Sequence, residues 1–298
     1  MNSLKILITG GAGFIGRHLI PSLSKDHSIT IYDNLSNSTK PDLQNIEFVK
    51  GDILDFKTLV ESSKEFDVVI HLAAKIDVAE SVINPKDTMN VNVNGTENIL
   101  KCCVENKIKK IIFASSAAVY GEQENIITEE TKTNPLSPYG ESKLVAEEKI
   151  KKYCNQNNLN AIIFRMFNVY GSGQTKQYAG VIIKFSDNIL QNISLTIYGD
   201  GKQTRDFISI NDIVEAYRYV LENIQEKKCI TYNLGTGVAT SITQLAKLML
   251  EIFKKNLEIN YVEQKKGDIK HSVADISLIK RELGFVPKTK LKDGLANF

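Results

Sequence analysis

The sequence predicts an α/β fold, a doubly wound parallel sheet accompanied by a smaller α/β lobe, and three observations predict it. Apolar runs of strand length alternate with segments of helical periodicity over residues 4–166. The first apolar run breaks into glycines, at Gly10, Gly13 and Gly16, before a helix restarts. From Asn168 onward the rhythm changes to short strands and helices joined by glycine-containing loops.

Leu4 to Ile8 has the length and branching of a buried parallel strand, and Phe14, Ile15, His18, Leu19 and Leu23 recur at helical spacing. Glycine at the turn between them lets the backbone reverse, approach a ligand closely and press helix against strand. The amides at that helix N-terminus favour an anionic guest such as a pyrophosphate. A second strand, Ser28 to Tyr32, ends in Asp33, where a dinucleotide fold needs an acid for ribose hydroxyls. Asn34 to Gln44 is polar and turn-rich and reads as a loop; Ile46 to Lys50 is a third strand running into Gly51, Asp52 and Ile53. Asp55 to Lys64 reads as a helix with Asp55 as N-cap, Phe66 to His71 as a fourth strand, Thr88 to Asn106 as one long helix and Lys110 to Ala114 as a fifth strand. A helix from Tyr139 to about Cys154 follows the extended stretch 134–138, and Ile162 to Met166 is another strand. Later come helices near 181–191, 211–223 and 241–255 and strands at Leu195 to Tyr198 and Asp206 to Ser209. The boundary is placed at 167: residues 1–167 form the dinucleotide lobe and 168–298 mainly the smaller one, with some later segments returning to the first.

Composition excludes several classes. A net charge of +2 from 37 basic and 35 acidic residues, well mixed along the chain, gives no electrostatic case for nucleic acid or an acidic membrane. Cys102, Cys103, Cys154 and Cys229 lack metal-ligand or disulfide-framework spacing, so no metal is expected and a reducing compartment is the simplest home. No apolar run has the length of a membrane span or a signal peptide, and the cytoplasm is the expected location.

The chemistry concentrates in Tyr139-Gly140-Glu141-Ser142-Lys143, which places a phenol and an ammonium at i and i+4 on one helix face. A phenol is a poor base at neutral pH, and a nearby positive charge brings its pKa toward the working range. Ser116, at the end of the fifth strand, offers a hydroxyl in the same crevice. Alone, a Tyr and a Lys at this spacing describe a surface pair; behind a dinucleotide-type fold they describe a catalytic centre.

These residues, with His71-Leu72-Ala73-Ala74, Asn92-Val93-Asn94-Gly95-Thr96, Phe164 to Gly171 and Tyr198 to Phe207, carry a resemblance across nearly the whole chain. It resembles the extended short-chain dehydrogenase/reductases of the NAD-dependent nucleotide-sugar epimerase/dehydratase family, within them the UDP-hexose 4-epimerases. The resemblance implies a Rossmann domain binding NAD through Gly10, Gly13, Phe14, Ile15 and Gly16 at the pyrophosphate. Asp33, Asn34, Leu35, Ser36, Asn37 and Ser38 are then at the adenosine, Asp52 and Ile53 at the adenine, and Leu72, Ala73, Ala74 and Ile76 on the nicotinamide side. It implies Ser116, Tyr139 and Lys143 as the catalytic triad, Tyr139 and Lys143 also touching cofactor and Ser116 and Tyr139 also touching substrate. Asn168 and Arg205 are implied at the diphosphate, and Val181, Thr196, Ile197 and Tyr198 at the uridine. An acid at Asp33 favours NAD over NADP, because it suits two ribose hydroxyls and repels a 2′-phosphate. Relatives of this kind imply a homodimer and a UDP-sugar substrate.

Within the family, dehydratases follow the serine or threonine with an Asp-Glu pair, whereas Ala117 and Ala118 follow Ser116 here and supply neither acid nor base. That favours 4-epimerisation through a transient 4-keto sugar. A 4-reductase, a UDP-glucuronate epimerase and a non-catalytic NAD(H)-binding protein stay open beside it. In the late loop, Lys265 stands where the family commonly has arginine and so loses the bidentate fork. Asp268 leads to Ser272, whose small side chain implies room for an acetamido group. UDP-GlcNAc and UDP-GalNAc are therefore expected as well as, or in preference to, UDP-Glc and UDP-Gal.

Overall fold

The computed structural model describes residues 3–43, 45–174, 180–223, 229–264, 267 and 269–298. The first half runs β1 Lys5–Thr9, α1 Phe14–Leu23, β2 Ser28–Asp33, β3 Glu47–Lys50, α2 Phe56–Ser62, β4 Val68–His71, α3 Val78–Ile83, α4 Pro85–Met89, a π-helical turn Asn90–Asn94, α5 Gly95–Glu105 and β5 Lys110–Ser116. A 3-10 turn Ala117–Val119, α6 Pro138–Gln156 and β6 Asn160–Met166 follow. The second half runs β7 Asn168–Tyr170, α7 Val181–Leu190, β8 Leu195–Tyr198, β9 Thr204–Arg205, β10 Phe207–Ser209, α8 Ile210–Glu222, β11 Cys229–Leu234, β12 Thr240–Ser241, α9 Ile242–Ile252, β13 Ile259–Val262, β14 His271–Ser272, α10 Ser277–Leu283 and α11 Leu291–Ala296.

The central sheet has seven strands in the order β11-β6-β5-β4-β1-β2-β3, and every pairing within it is parallel. Parallel strands need both faces covered, and the strand alternation supplies two cores. Ile6 and Ile8 pack on one face with Leu19, Ile20, Ile213 and Tyr217 of α1 and α8. Leu7 and Val69 pack on the other with Ile99, Leu100, Ala146 and Ile150 of α5 and α6. Strand order reverses between β1 and β4, which opens a crevice at the carboxyl ends of the strands.

Two departures from the sequence reading bear on the central sheet and the site. The segment expected as one helix from Thr88 to Asn106 is interrupted at 90–94 by the π-helical turn, and Asn92 is buried there. The Thr96 hydroxyl donates to the Asn92 carbonyl at 2.6 Å, while the Asn92 side chain is engaged elsewhere, which is the physical reason the regular ladder yields. The second feature is β11, not anticipated as a strand, which pairs with β6 from Cys229 opposite Ala161 to Leu234 opposite Met166. A separate apolar cluster, with Tyr170, Phe185, Leu195, Ile197, Phe207, Leu245 and Met249, holds α7, α9 and the short strands of the second half together. Ser241 starts α9 with a reciprocal capping box to Gln244. No helix among the described residues is long and apolar enough to cross a membrane.

Candidate active site

A cleft of ≈ 720 Å³ lies over the carboxyl ends of β1, β2, β4, β5 and β6. Gly10 and residues 12–17, 32–34, 36–38, 51–54, 72–76, 114–116 and 166–170 line it, together with Tyr139, Lys143, Val181 and Phe207. All the sequence-predicted dinucleotide residues except Leu35 therefore reach one cavity. Leu35 instead adopts a left-handed backbone (φ 60), its amide donating to Asp33 Oδ1 at 2.8 Å.

The glycine turn is shaped for close approach. A Cβ on Gly10 (φ +69) would stand 2.5 Å from the Ala73 nitrogen, and one on Gly16 would stand 2.3 Å from the Gly11 carbonyl oxygen. No side chain caps α1 at Gly13, so its first amides open toward the cleft. Asp33 Oδ2 accepts from the Ala12 amide at 3.0 Å, fixing the carboxylate beside the turn. Arg17 Nε donates to the Ala12 carbonyl at 2.7 Å and Nη2 to the Thr39 carbonyl at 2.6 Å, pinning the 34–39 loop to the same turn. Backbone donors, an uncapped helix start and a placed carboxylate together fit the pyrophosphate and ribose of a dinucleotide.

Ser116 ends β5, and its Oγ accepts from the Ala118 amide at 3.2 Å. Ser137 caps α6 by accepting from the Gly140 amide at 3.1 Å, so Tyr139 stands in the first turn of the helix. The Ser116 hydroxyl acts to lower the Tyr139 pKa, but burial is the larger influence and the net direction is upward. Lys143 Nζ is instead directed to the Ala114 carbonyl at 2.8 Å and lies 4.8 Å from the centre of the Phe113 ring. Burial pushes the Lys143 pKa down to about 7, with Glu147 opposing. In the protein alone, low polarity favours the neutral form of both groups.

Asn92 ties the site together. Its Oδ1 accepts from the Lys75 amide at 2.7 Å, and its Nδ2 donates to the Lys75 carbonyl at 2.8 Å and to Ser142 Oγ at 2.9 Å. Ser142 Oγ donates in turn to the Tyr139 carbonyl at 2.7 Å. The sequence showed Asn92 only within a motif; an Asn four residues before a Thr was the available signal.

His71 is buried between Thr9 and Thr96. Because the Thr96 hydroxyl donates to Asn92, it accepts from Nε2–H of His71 at 3.0 Å, and Nδ1 accepts the Thr9 hydroxyl at 2.7 Å. Burial first, and the Lys143 charge second, push the His71 pKa from 6.5 down to about 3. The unfolded chain thus binds a proton at this site below about pH 6.5 and the folded chain only below about pH 3, so stability falls as pH drops through that window. The contribution is on the order of 4 kcal/mol by the acid end. Urea unfolding between pH 7 and pH 4 should show a shallower pH slope for His71→Gln than for the parent; identical slopes would remove histidine as the cause.

Among the predicted substrate residues, Asn168 and Val181 line the cleft. Thr196, Ile197, Tyr198, Arg205 and Ser272 are not among its lining residues. The side chain of Ile197 is buried in the second-half core, because the alternation of β8 turns Leu195 and Ile197 inward and Thr196 and Tyr198 outward. Arg205 Nη1 donates to the Thr204 carbonyl at 2.9 Å, and Ser272 pairs with Arg205 across β9 and β14. Lys265 and Asp268 lie outside the described residues. The cleft also takes in Arg17, Lys75, Asp87, Met166, Tyr170 and Phe207, which sequence reasoning missed. Met166 had a signal, as the last residue of a parallel strand. Lys75 and Asp87 form an ion pair that needed the fold to bring them together.

Residues 6–235 match the model of the NAD dependent epimerase/dehydratase family. A putative UDP-glucose 4-epimerase of Methanocaldococcus jannaschii is 41% identical over 297 residues, covering 97% of this chain and 95% of that protein. The structure is similar to a UDP-N-acetylglucosamine 4-epimerase from Methanobrevibacter ruminantium M1 in complex with UDP-N-acetylmuramic acid, with TM-score 0.94 and 35% identity over 100% of this chain and 97% of that one. It is also similar to a UDP-glucose 4-epimerase of Thermotoga maritima with UDP-glucose, with TM-score 0.92 and 33% identity over 99% and 97% of the two chains.

Proposed function

From the premise that this chain belongs to the NAD-dependent epimerase/dehydratase family, we propose that it is a UDP-hexose 4-epimerase accepting UDP-GlcNAc and UDP-GalNAc as well as, or in preference to, UDP-Glc and UDP-Gal. The observation that carries the reading is the convergence of Ser116, Tyr139 and Lys143 with the glycine turn and Asp33 on one cleft. Ala117 and Ala118, in the 3-10 turn directly after Ser116, offer no acid or base for elimination.

NAD bound along the glycine turn supplies a reversible hydride acceptor. Tyr139, as phenolate, takes the proton of the sugar 4-hydroxyl and returns it after the transient 4-keto sugar has presented its other face. Ser116 holds the reacting oxygen while that proton moves. Lys143, as ammonium, favours the phenolate. In the same reading Asn168 and Arg205 grip the diphosphate, Val181, Thr196 and Tyr198 flank the uridine, and Lys265, Asp268 and Ser272 contribute to binding the substrate. Residues 1–167 hold the cofactor and most of 168–298 the nucleotide sugar, with β11 and α8 serving the first lobe. A homodimer through α5 and α6, in the cytoplasm, completes the proposal.

Separate incubations with UDP-GlcNAc, UDP-Glc and UDP-GlcA, each followed by identification of the product, test the activity. Ser272 is nearly buried at 8% exposure, so bulk there must intrude on its surroundings. Ser272→Tyr is expected to lower kcat/KM for UDP-GlcNAc at least about tenfold more than for UDP-Glc. Equal losses on both sugars would withdraw the acetamido preference.

A further inference from the structure

Behind the catalytic residues lies a buried polar cluster that the proposed reaction does not itself use. Glu147 follows Lys143 by one turn of α6 and is 0% exposed. Arg165 Nε donates to its Oε1 at 3.0 Å and to Oε2 at 3.2 Å, and Nη2 donates to Oε2 at 2.6 Å. Ser115 Oγ donates to Oε1 at 2.5 Å. Ser115 directly precedes Ser116, and β5 and β6 place Ser115 opposite Arg165 and Ser116 opposite Met166. Arg165 continues to the Tyr120 hydroxyl at 2.9 Å and the Glu129 carbonyl at 3.2 Å, so the guanidinium is held on its far side as well.

Resting on the epimerase reading, we propose that Glu147 is a positioning residue of the catalytic centre. Its carboxylate ties the end of β5, through Ser115, to the helical turn bearing Lys143, and so holds that side chain aimed at the Ala114 carbonyl. One buried anion thereby fixes Ser116 relative to Tyr139 and Lys143, which sit on a different element. A simple counter-ion for Arg165 would not need the Ser115 bond.

The groups facing Lys143 leave Glu147 as its anionic neighbour. On α6 it has Tyr139 and Glu147; on β5 the Ala114 carbonyl and the Phe113 ring; on β4 His71, which stays neutral. Arg165 on β6 is bound to Glu147, and Lys151 approaches Glu147 at 3.9 Å. Burial lowers the Lys143 pKa to about 7 and the Glu147 charge resists that fall, so removing the charge must lower it further.

The test uses the full-length protein carrying bound cofactor, with ¹³C-labelled lysine. In Glu147→Gln, the Lys143 resonance, assigned with Lys143→Arg, is expected to titrate at least about one pH unit lower than in the parent, and the alkaline limb of kcat to move down with it. E147Q leaves Arg165 unpaired in the interior and can fail to fold. Ser115→Ala is the milder second variant: kcat is expected to fall about tenfold, with KM and bound NAD within about twofold of the parent. Coincident Lys143 titrations in parent and folded E147Q, or a kcat in S115A within about twofold of the parent, would overturn the inference. If the parent interconverts no UDP-hexose, the epimerase reading fails by itself. The resonance arm, or where E147Q does not fold the same titration in Glu147→Gln combined with Arg165→Met, which leaves no unpaired guanidinium and is expected to shift Lys143 down, still decides whether this network holds the lysine charge.

Discussion

Tyr139→Phe is expected to lower turnover of any UDP-hexose by about 10³-fold or more while leaving the fold and the bound NAD in place. Phenylalanine keeps the ring and its packing and removes only the hydroxyl. The size of the loss follows from what burial does to the pair: it raises the Tyr139 pKa and lowers that of Lys143, so both groups start on the neutral side. Catalysis then depends on interactions that restore a phenolate, and no other titratable side chain of the proposed triad can replace the missing oxygen. Product analysis by chromatography and quantitation of NAD released on denaturation separate the two effects. Retention of more than about a tenth of parent turnover would mean that the proton is taken by a different group.

Asp206→Asn is expected to cost stability heavily. Asp206 is 0% exposed. Its Oδ1 accepts from the Thr236 amide at 2.8 Å and the Thr236 hydroxyl at 2.6 Å, and its Oδ2 from the Gly237 amide at 2.8 Å and the Ala274 amide at 3.2 Å. Burial pushes its pKa up, and these donors oppose that shift. An asparagine would turn an amide NH₂ toward backbone N–H groups on one side, leaving buried donors unpaired at about 3 kcal/mol or more in total. The effect reaches function because Asp206 follows Arg205, and its own amide donates to the Ser272 carbonyl at 2.9 Å. Thermal unfolding should move down by several degrees and KM for UDP-sugars should rise. An unchanged melting curve would show that the loops at 236–237 and 272–274 are held by other contacts.

Much of the site was legible because its chemistry is local. The glycines, Asp33, Ser116 and the Tyr139 to Lys143 pair lie at positions that a strand end, a helix start or a helical repeat defines within a few residues, and all of them reach the cleft. The expected N-cap at Asp55 is present, its carboxylate accepting from the Thr58 amide at 3.2 Å. Helix and strand periods likewise placed β1 to β6 and the catalytic helix, since amphipathicity repeats within a window of ten or so residues.

The amino-acid order by itself thus determined the doubly wound class, the dinucleotide turn and the side chains of the proposed triad. Tertiary structure alone decided that β11 joins β6, that Asn92 interrupts its helix to clamp Lys75 and Ser142, and that Ile197 belongs to a core. It alone decided that Lys143 turns to Ala114 and that Glu147 meets Arg165 and Ser115. The physical reason is range: turn chemistry and periodicity act between near neighbours in the chain. Strand partnering, desolvation and the pairing of buried charges depend on segments that only folding brings into contact.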